Sequence, residues 1–365
     1  MGTITLNKKE FIKALNIGGA FAGKSRAMPI LDCVKIKVSN GTITIVSSDN
    51  ENAISKKVKE VESNGDITFC VNYKDFSSYI KLLNVETFNL QVSDNDVKVV
   101  HKNGEISLPI MNADEFPALK LGENTKNITI NSAVLNNWIV DASNFVANDD
   151  LRPILNNIYF YGKENEIGCC STDTHLMFTD NQEYSGEEFE FNLNKGAFKA
   201  VCDVCSGVDE VNVKIGDRNV MFVGDGISVL TRQQDGRFPN FKSIIPTESP
   251  IHVKVNKQEL LSSINRCLLG ASKVTSLIKL QVSSMSLQVS AEDIDFSRKT
   301  VENLLVESNG EITIGFNGND FIKVVSTVST DNIILNMTDF NKACLIKEDD
   351  EKSKKIILEM PILIE

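Results

Sequence analysis

The chain has 365 residues, 42% of them apolar, and a formal net charge of −11. Its length fits two or three ordinary domains, and the apolar fraction is enough for packed cores. No apolar run approaches the roughly 18 residues of a membrane helix, the N-terminus carries no signal-peptide pattern, and the acidic balance argues against loose nucleic-acid binding over the whole surface, so a cytoplasmic globular protein is expected.

The first predicted element sets the pattern for the rest. Ile4-x-Leu6 alternates like a strand with one buried face, Asn7 follows as a favoured helix N-cap, and Phe11, four residues on, completes a hydrophobic staple with Leu6. The phrase returns as Phe69-x-Val71-Asn72 with Phe76, Ile128-x-Ile130-Asn131 with Leu135, Phe191-x-Leu193-Asn194 with Phe198, Val253-x-Val255-Asn256 with Leu260, and Ile314-x-Phe316-Asn317 with Phe321. Four copies place an acid three residues after the cap (Glu10, Asp75, Glu259, Asp320), where it suits the positive end of a helix. Successive caps lie 65, 59, 63, 62 and 61 residues apart, and Phe116-Pro117, Phe238-Pro239 and Met360-Pro361 recur every 122 residues. The spacing predicts three tandem domains, 1–122, 126–247 and 251–365, each made of two half-repeats.

Within each repeat the predicted helix is one-sided. Phe76, Tyr79, Ile80 and Leu83, and likewise Leu135, Trp138, Ile139 and Ala142, fall at i, i+3, i+4 and i+7, which leaves Lys74, Lys81, Asn136 and Asn137 for the other face. Short alternating strands with Gly, Asn and Asp turns come after each helix, as in Thr42–Ile45 and Val211–Ile215. The expected fold is α+β, with helices on one face of antiparallel sheet. The charged run from Lys347 to Lys355 reads as a solvated hairpin loop. Each cap with its next twelve residues carries, over the six copies, ten basic and six acidic side chains, so the remainder of the chain holds −15. That distribution fits either one basic face or plain solvated helix surfaces.

Gly18-Gly19-Ala20-Phe21-Ala22-Gly23-Lys24-Ser25 matches the phosphate-loop pattern and raises the alternative of a P-loop nucleotide hydrolase using Lys24. Such a loop follows a strand and opens a helix. This one follows the helix begun at Asn7 and runs into Pro29, which disfavours a helix. Phe198, Val201, Cys202 and Cys205 form a predicted helix stripe, so Cys202-x-x-Cys205 reads as core thiols, as do the other six cysteines. His101, His175 and His252 show no nucleophile or metal spacing, and no cofactor is expected.

Arg152-Pro153-Ile154-Leu155-Asn156-Asn157, Ser171-Thr172-Asp173-Thr174-His175, Asp235-Gly236-Arg237-Phe238-Pro239-Asn240-Phe241 and Met360-Pro361-Ile362-Leu363, set in three tandem repeats, resemble the beta subunit of bacterial DNA polymerase III, the sliding clamp family. The resemblance covers the whole chain in order. It implies a non-enzymatic processivity factor of DNA-clamp fold, a head-to-tail homodimer closed into a ring around duplex DNA, with helices lining the hole. Contacts to the backbone alone carry no sequence information, which suits sliding. The implied DNA-facing residues are Lys9, Lys13, Lys74, Lys81, Lys195, Lys199 and Arg266 on helices, with Lys24, Arg26 and Arg152 on loops. The implied partners are the polymerase III catalytic subunit, the clamp loader, and other polymerases and repair proteins, each inserting a short apolar peptide. The implied cleft is walled by Leu155, Thr172, His175, Met177, Pro239, Ile244, Leu358, Met360, Pro361 and Ile362. At the subunit contact the resemblance points to Ile106 on an edge strand and to Leu268 and Leu269 after the fifth helix. The sequence departs from the family pattern at Leu176 and Ser243, commonly basic, and at Thr174, commonly Gly. A repeat scaffold that binds peptides without DNA shares the cleft but not the basic helix faces.

Overall fold

The computed structural model describes residues 2–24, 28–59, 62–63, 65–123 and 125–364. Among them all six strand-to-helix switches form, giving α1 (Lys8–Gly18), α2 (Tyr73–Leu82), α3 (Ser132–Ala142), α4 (Phe198–Cys205), α5 (Lys257–Leu268) and α6 (Gly318–Thr327). Every cap asparagine works through its side-chain oxygen. Asn7 accepts from the N–H groups of Lys9 and Glu10, Asn72 from Asp75, Asn131 from Ala133 and Val134, Asn194 from Gly196, Asn256 from Glu259, and Asn317 from Asn319 and Asp320, at 2.7 to 3.3 Å. These bonds satisfy amides that a helix start otherwise leaves open. The staple closes beside the cap: the Phe316 and Phe321 rings stack with centroids 4.8 Å apart.

A second device repeats that the sequence pattern did not expose. The residue after the cap in each odd half-repeat reaches the C-terminal end of the next helix or the loop that follows it. Lys8 donates from Nζ to the Leu83 carbonyl and from its backbone to Glu86 at 2.9 Å. Ser132 donates to the carbonyls of Val208 and, from its backbone, Asp209. Lys257 does the same to Val328 and Asp331. Leu83 and Val328 are the C-cap residues of their helices, so the two lysines place a cation on the negative pole, whereas Ser132 bonds the loop that follows α4.

α4 departs from expectation. A 3-10 turn, Lys195–Ala197, precedes it, and three residues per turn in place of 3.6 rotate the helix that comes after. The buried face becomes Ala197, Ala200, Val201, Val204 and Cys205, while Phe198 and Cys202 are only half-buried. Seven cysteines are buried as core thiols and Cys202 is not.

The chain divides into two compact units, one of Met1–Ile139 with Leu193–Gln234 and one of Val140–Asn192 with Asp235–Glu365. The first holds a thirteen-stranded sheet. Strand Ile227–Arg232 of the second repeat pairs antiparallel with Asn52–Val58 of the first, so one sheet runs through both, and the Thr231 hydroxyl donates to the buried Asn52 side chain at 2.7 Å across the seam. Ile36, Val38, Ile43 and Ile45 of this sheet pack with Phe11, Leu15, Phe76 and Ile80 of α1 and α2. The second unit holds a nine-stranded and a four-stranded sheet. Its seam joins Leu176–Glu183 to Ile356–Glu359, again antiparallel.

The Lys347–Lys355 segment is only partly the solvated loop expected. Lys347 and Glu348 finish a strand, and Lys355 is drawn inside. Its ammonium lies 2.8 Å from Asp141 and 3.2 Å from Glu348, because two carboxylates and the Thr327 carbonyl converge there.

Candidate functional site

Lys9 and Lys13 on α1, Lys74 and Lys81 on α2, and Lys195 and Lys199 at the start of α4 are all exposed, on faces turned away from the cores their helices cover. Three of the other cations named from the sequence are engaged or set apart. Arg152 is held by Asp149, Nε to Oδ2 at 2.8 Å, and Arg266 makes a two-pronged pair with Glu302 at 3.0 and 2.7 Å. The Lys24 ammonium sits 4.8 Å from the centre of the Phe21 ring. Arg26 lies outside the described residues.

The Lys24 segment does not have the context of a phosphate loop. It follows α1, with Gly19 as the helix C-cap. A Cβ on Gly18 would come within 2.7 Å of Ile45 and one on Gly19 within 2.2 Å of the Tyr73 ring, so both glycines serve close packing. Cys202 and Cys205 line one 390 Å³ hollow with Ser132 and Asn136, but burial raises both thiols, Cys205 to about 12, which disfavours the thiolate.

The proposed cleft residues fall in the second unit, around its seam. Leu155, Met177 and Leu358 are buried in one apolar cluster with Tyr159, Tyr161, Phe238 and Phe241. Tyr159 and Phe238 stack nearly parallel at 4.9 Å, and the Tyr159 hydroxyl donates to Glu190 at 2.7 Å. This cluster of rings was missed in the sequence, although Phe238 and Phe241 stood in a motif already singled out and Tyr159 alternates with Tyr161. Pro239, Ile244, Met360 and His175 are exposed; Pro361 and Ile362 are half-buried. The Met360 N–H donates to the His175 carbonyl at 2.9 Å, and the Ile362 N–H to Gly315 at 2.8 Å, which ties the chain end to two neighbouring segments. Thr172 is buried, and its hydroxyl is spent inside the turn, donating to the Leu176 carbonyl and accepting from the Thr174 N–H. Leu176 is also buried, so the departure there is an apolar side chain inside the fold rather than a change of surface charge.

Among the described residues, two of the open strand edges bear on the residues named for the subunit contact. Gly104–Met111 pairs with Asp96–His101 along one side but meets Ile67–Asn72 only at Ile110 and Met111, leaving 104–109 free on the other, and Arg298–Leu305 ends the four-stranded sheet. Ile106 on the first is half-buried against the core. Leu268 packs toward Gly318 in its own unit, whereas Leu269 is 76% exposed.

Six copies of one strand-to-helix unit, cations on exposed helix faces and an apolar cluster with stacked aromatic rings at a strand seam define a clamp built by repetition. Models of the N-terminal, central and C-terminal domains of the DNA polymerase III beta subunit match residues 3–120, 129–240 and 242–361. The chain belongs to that family, whose members are non-catalytic processivity subunits of the polymerase. It is 23% identical to the beta sliding clamp of Bacillus subtilis over 97% of this chain and 98% of that one, and 23% identical to that of Vibrio cholerae over 98% and 99%. Its fold is that of the Thermotoga maritima beta subunit, with a TM-score of 0.92 at 22% identity over the whole of both chains. The Pseudomonas aeruginosa sliding clamp bound to griselimycin gives 0.95 at 20% identity, again over both whole chains.

Proposed function

We propose that two copies of this chain associate head to tail and close into a cytoplasmic ring around duplex DNA, each copy contributing three domains, 1–122, 126–247 and 251–365. The observation that carries the reading is the placement of Lys9, Lys13, Lys74, Lys81, Lys195 and Lys199 on exposed helix faces in a chain of net charge −11. Cations gathered there attract phosphates without reading bases, while the acidic remainder repels them elsewhere. Retention on DNA then comes from topology, and the ring slides. The cleft around Leu155, Met177, Leu358 and Met360 takes short apolar peptides from the polymerase III catalytic subunit, the clamp loader, and other polymerases and repair proteins, with the cluster of rings fixing its shape. Pairing of the free edges 104–109 and 298–305 across the subunit contact continues the sheet and removes both edges.

The test is retention on nicked circular duplex DNA after loading by the cognate clamp loader with ATP, before and after a single cut. Retention on the circle and loss on cutting supports the threaded ring. Equal retention on both forms, falling steeply with salt, would mean an open electrostatic binder and end the ring reading. Peptide binding with no retention on either would leave a scaffold without DNA.

A further inference from the structure

Glu359 has no role in the cleft as described, yet it lies within the segment that builds it. It ends the strand Ile356–Glu359, between Leu358, whose side chain enters the cluster of rings, and Met360 on the rim. Strand alternation turns Glu359 to the face opposite Leu358. There it stands across from Leu176 on one neighbouring strand and Cys344 on the other. It is 2% exposed, and its Oε2 has no hydrogen-bond partner.

The charges facing it are unfavourable to an anion. Asp173, from the turn before Leu176, and Asp320, on α6, are both acidic. Lys323 is the cation within range, and its ammonium is already taken by Asp320 at 2.7 Å. Leu176 is apolar, and the Cys344 thiol is itself buried and pushed upward. Burial first, and the two aspartates second, raise the Glu359 carboxyl well above the ordinary glutamate value, and a buried carboxyl oxygen with no hydrogen-bond partner suits the neutral acid rather than the anion. An ionised carboxylate there is relieved only if the strand end moves toward water. That end is what the two hydrogen bonds from Met360 to His175 and from Ile362 to Gly315 hold in place.

We propose that Glu359 is a positioning residue for the peptide cleft, whose neutral carboxyl lets the segment from Leu358 to Ile362 seat against the Thr172–His175 turn, and whose loss of a proton to solvent unseats that segment and weakens peptide binding. The inference rests on the reading of this cleft as a peptide site. It makes partner capture proton-dependent through a residue that no peptide touches.

The experiment is isothermal titration of the full-length chain with the uncharged peptide acetyl-Leu-Ala-Leu-Phe-amide from pH 6 to 9.5, with Glu359→Gln beside it. The peptide does not titrate, and every group other than Glu359 is common to both proteins. Above the midpoint that Glu359 shows by its carboxyl 13C shift, the wild-type Kd is expected to rise roughly fivefold or more, since each unit past it changes the ion-to-acid ratio tenfold, while the Gln variant stays flat. Parallel profiles, or a flat wild type, overturn the role of Glu359 and leave the cleft standing. No binding by the wild type at any pH overturns the cleft reading, and this role with it. Carboxyl 13C shifts of Glu359 in the wild-type chain supply a check that needs no variant: a midpoint in the ordinary glutamate range overturns the proposal.

Discussion

Phe11 and Phe76 meet edge to face, with ring centroids 6.0 Å apart and planes at 84°, although 65 residues separate them in the chain. Each stands four residues after an asparagine cap, so the same staple position in two half-repeats supplies the centre of the first core, where Phe88 joins as a third ring 5.8 Å from Phe11. Truncation at either site leaves a cavity that rigid neighbours cannot fill. Phe76→Ala is expected to lower unfolding stability by about 3–5 kcal/mol, and Phe11→Ala by a similar amount. A double-mutant cycle in urea should return a coupling of about 0.5–1.5 kcal/mol. Simple additivity would show that the ring contact itself contributes nothing.

Lys355 ties three segments together through Asp141, Glu348 and the Thr327 carbonyl, with its side chain only 10% exposed. Burial pushes Glu348 up, but hydrogen bonds from Ser353 and the Ser329 N–H, together with Lys355, outweigh it and hold the carboxyl at about 2. An acid whose folded value lies below its unfolded value of about 4.3 adds stability above that pH and loses it as pH falls toward 2. Lys355→Ala, which strands two carboxylates, is expected to cost about 3–5 kcal/mol at pH 7. Because the stranded Glu348 carboxyl then favours protonation, the variant should regain part of that loss as pH falls from about 4.3 toward 2. Thermal melts of the two proteins across that window that keep a constant gap would refute the network.

The repeat was legible because its signal is local: an asparagine cap, an alternating strand before it and a staple after it are fixed by residues within one turn of helix. The register of the seams was not, since pairing of Ile227–Arg232 with Asn52–Val58 depends on chains that come together from some 175 residues apart, and nothing in either strand names the other. The clasp from Lys8 to Leu83 was hidden for the same reason, although Asn7-Lys8 and Asn256-Lys257 repeat in plain view. Of the candidate site, the motifs named Leu155, Met177 and Leu358, which fall in one apolar cluster, but gave no sign that the Thr172 hydroxyl closes a turn with Leu176 and Thr174. Glu359 gave no sign, because a buried acid and an exposed one look alike in sequence. Lys355 was read as solvated for want of its distant partner Asp141.

Thr174 is held at φ +85°, in the left-handed region that favours glycine, by a turn whose N–H bonds are fixed to Thr172 and Asp173. A β-branched side chain is strained there. Thr174→Gly is expected to raise stability by about 1 kcal/mol, the lower end of such strain after the extra freedom glycine has when unfolded is subtracted. A fall in Tm for this variant would mean that the Thr174 side chain makes a compensating contact.

Leu269 caps α5 with 76% of its surface exposed, in the unit whose strand Arg298–Leu305 has, among the described residues, no strand paired on its outer edge. Val301 and Leu305 of that strand are exposed as well, so an apolar and hydrogen-bonding edge stands open together. If these edges meet residues 104–109 of a second copy, Leu269 is buried at the contact, and a charge placed there must be desolvated without a partner. Leu269→Asp is therefore expected to weaken dimerisation by about 2–4 kcal/mol, a factor of roughly 30 to 1,000 in dissociation constant. Sedimentation should then give monomer mass at concentrations where the wild type is dimeric, with the fold unchanged by circular dichroism because the side chain is free of its own core. A dimer of unaltered strength would move the subunit contact elsewhere.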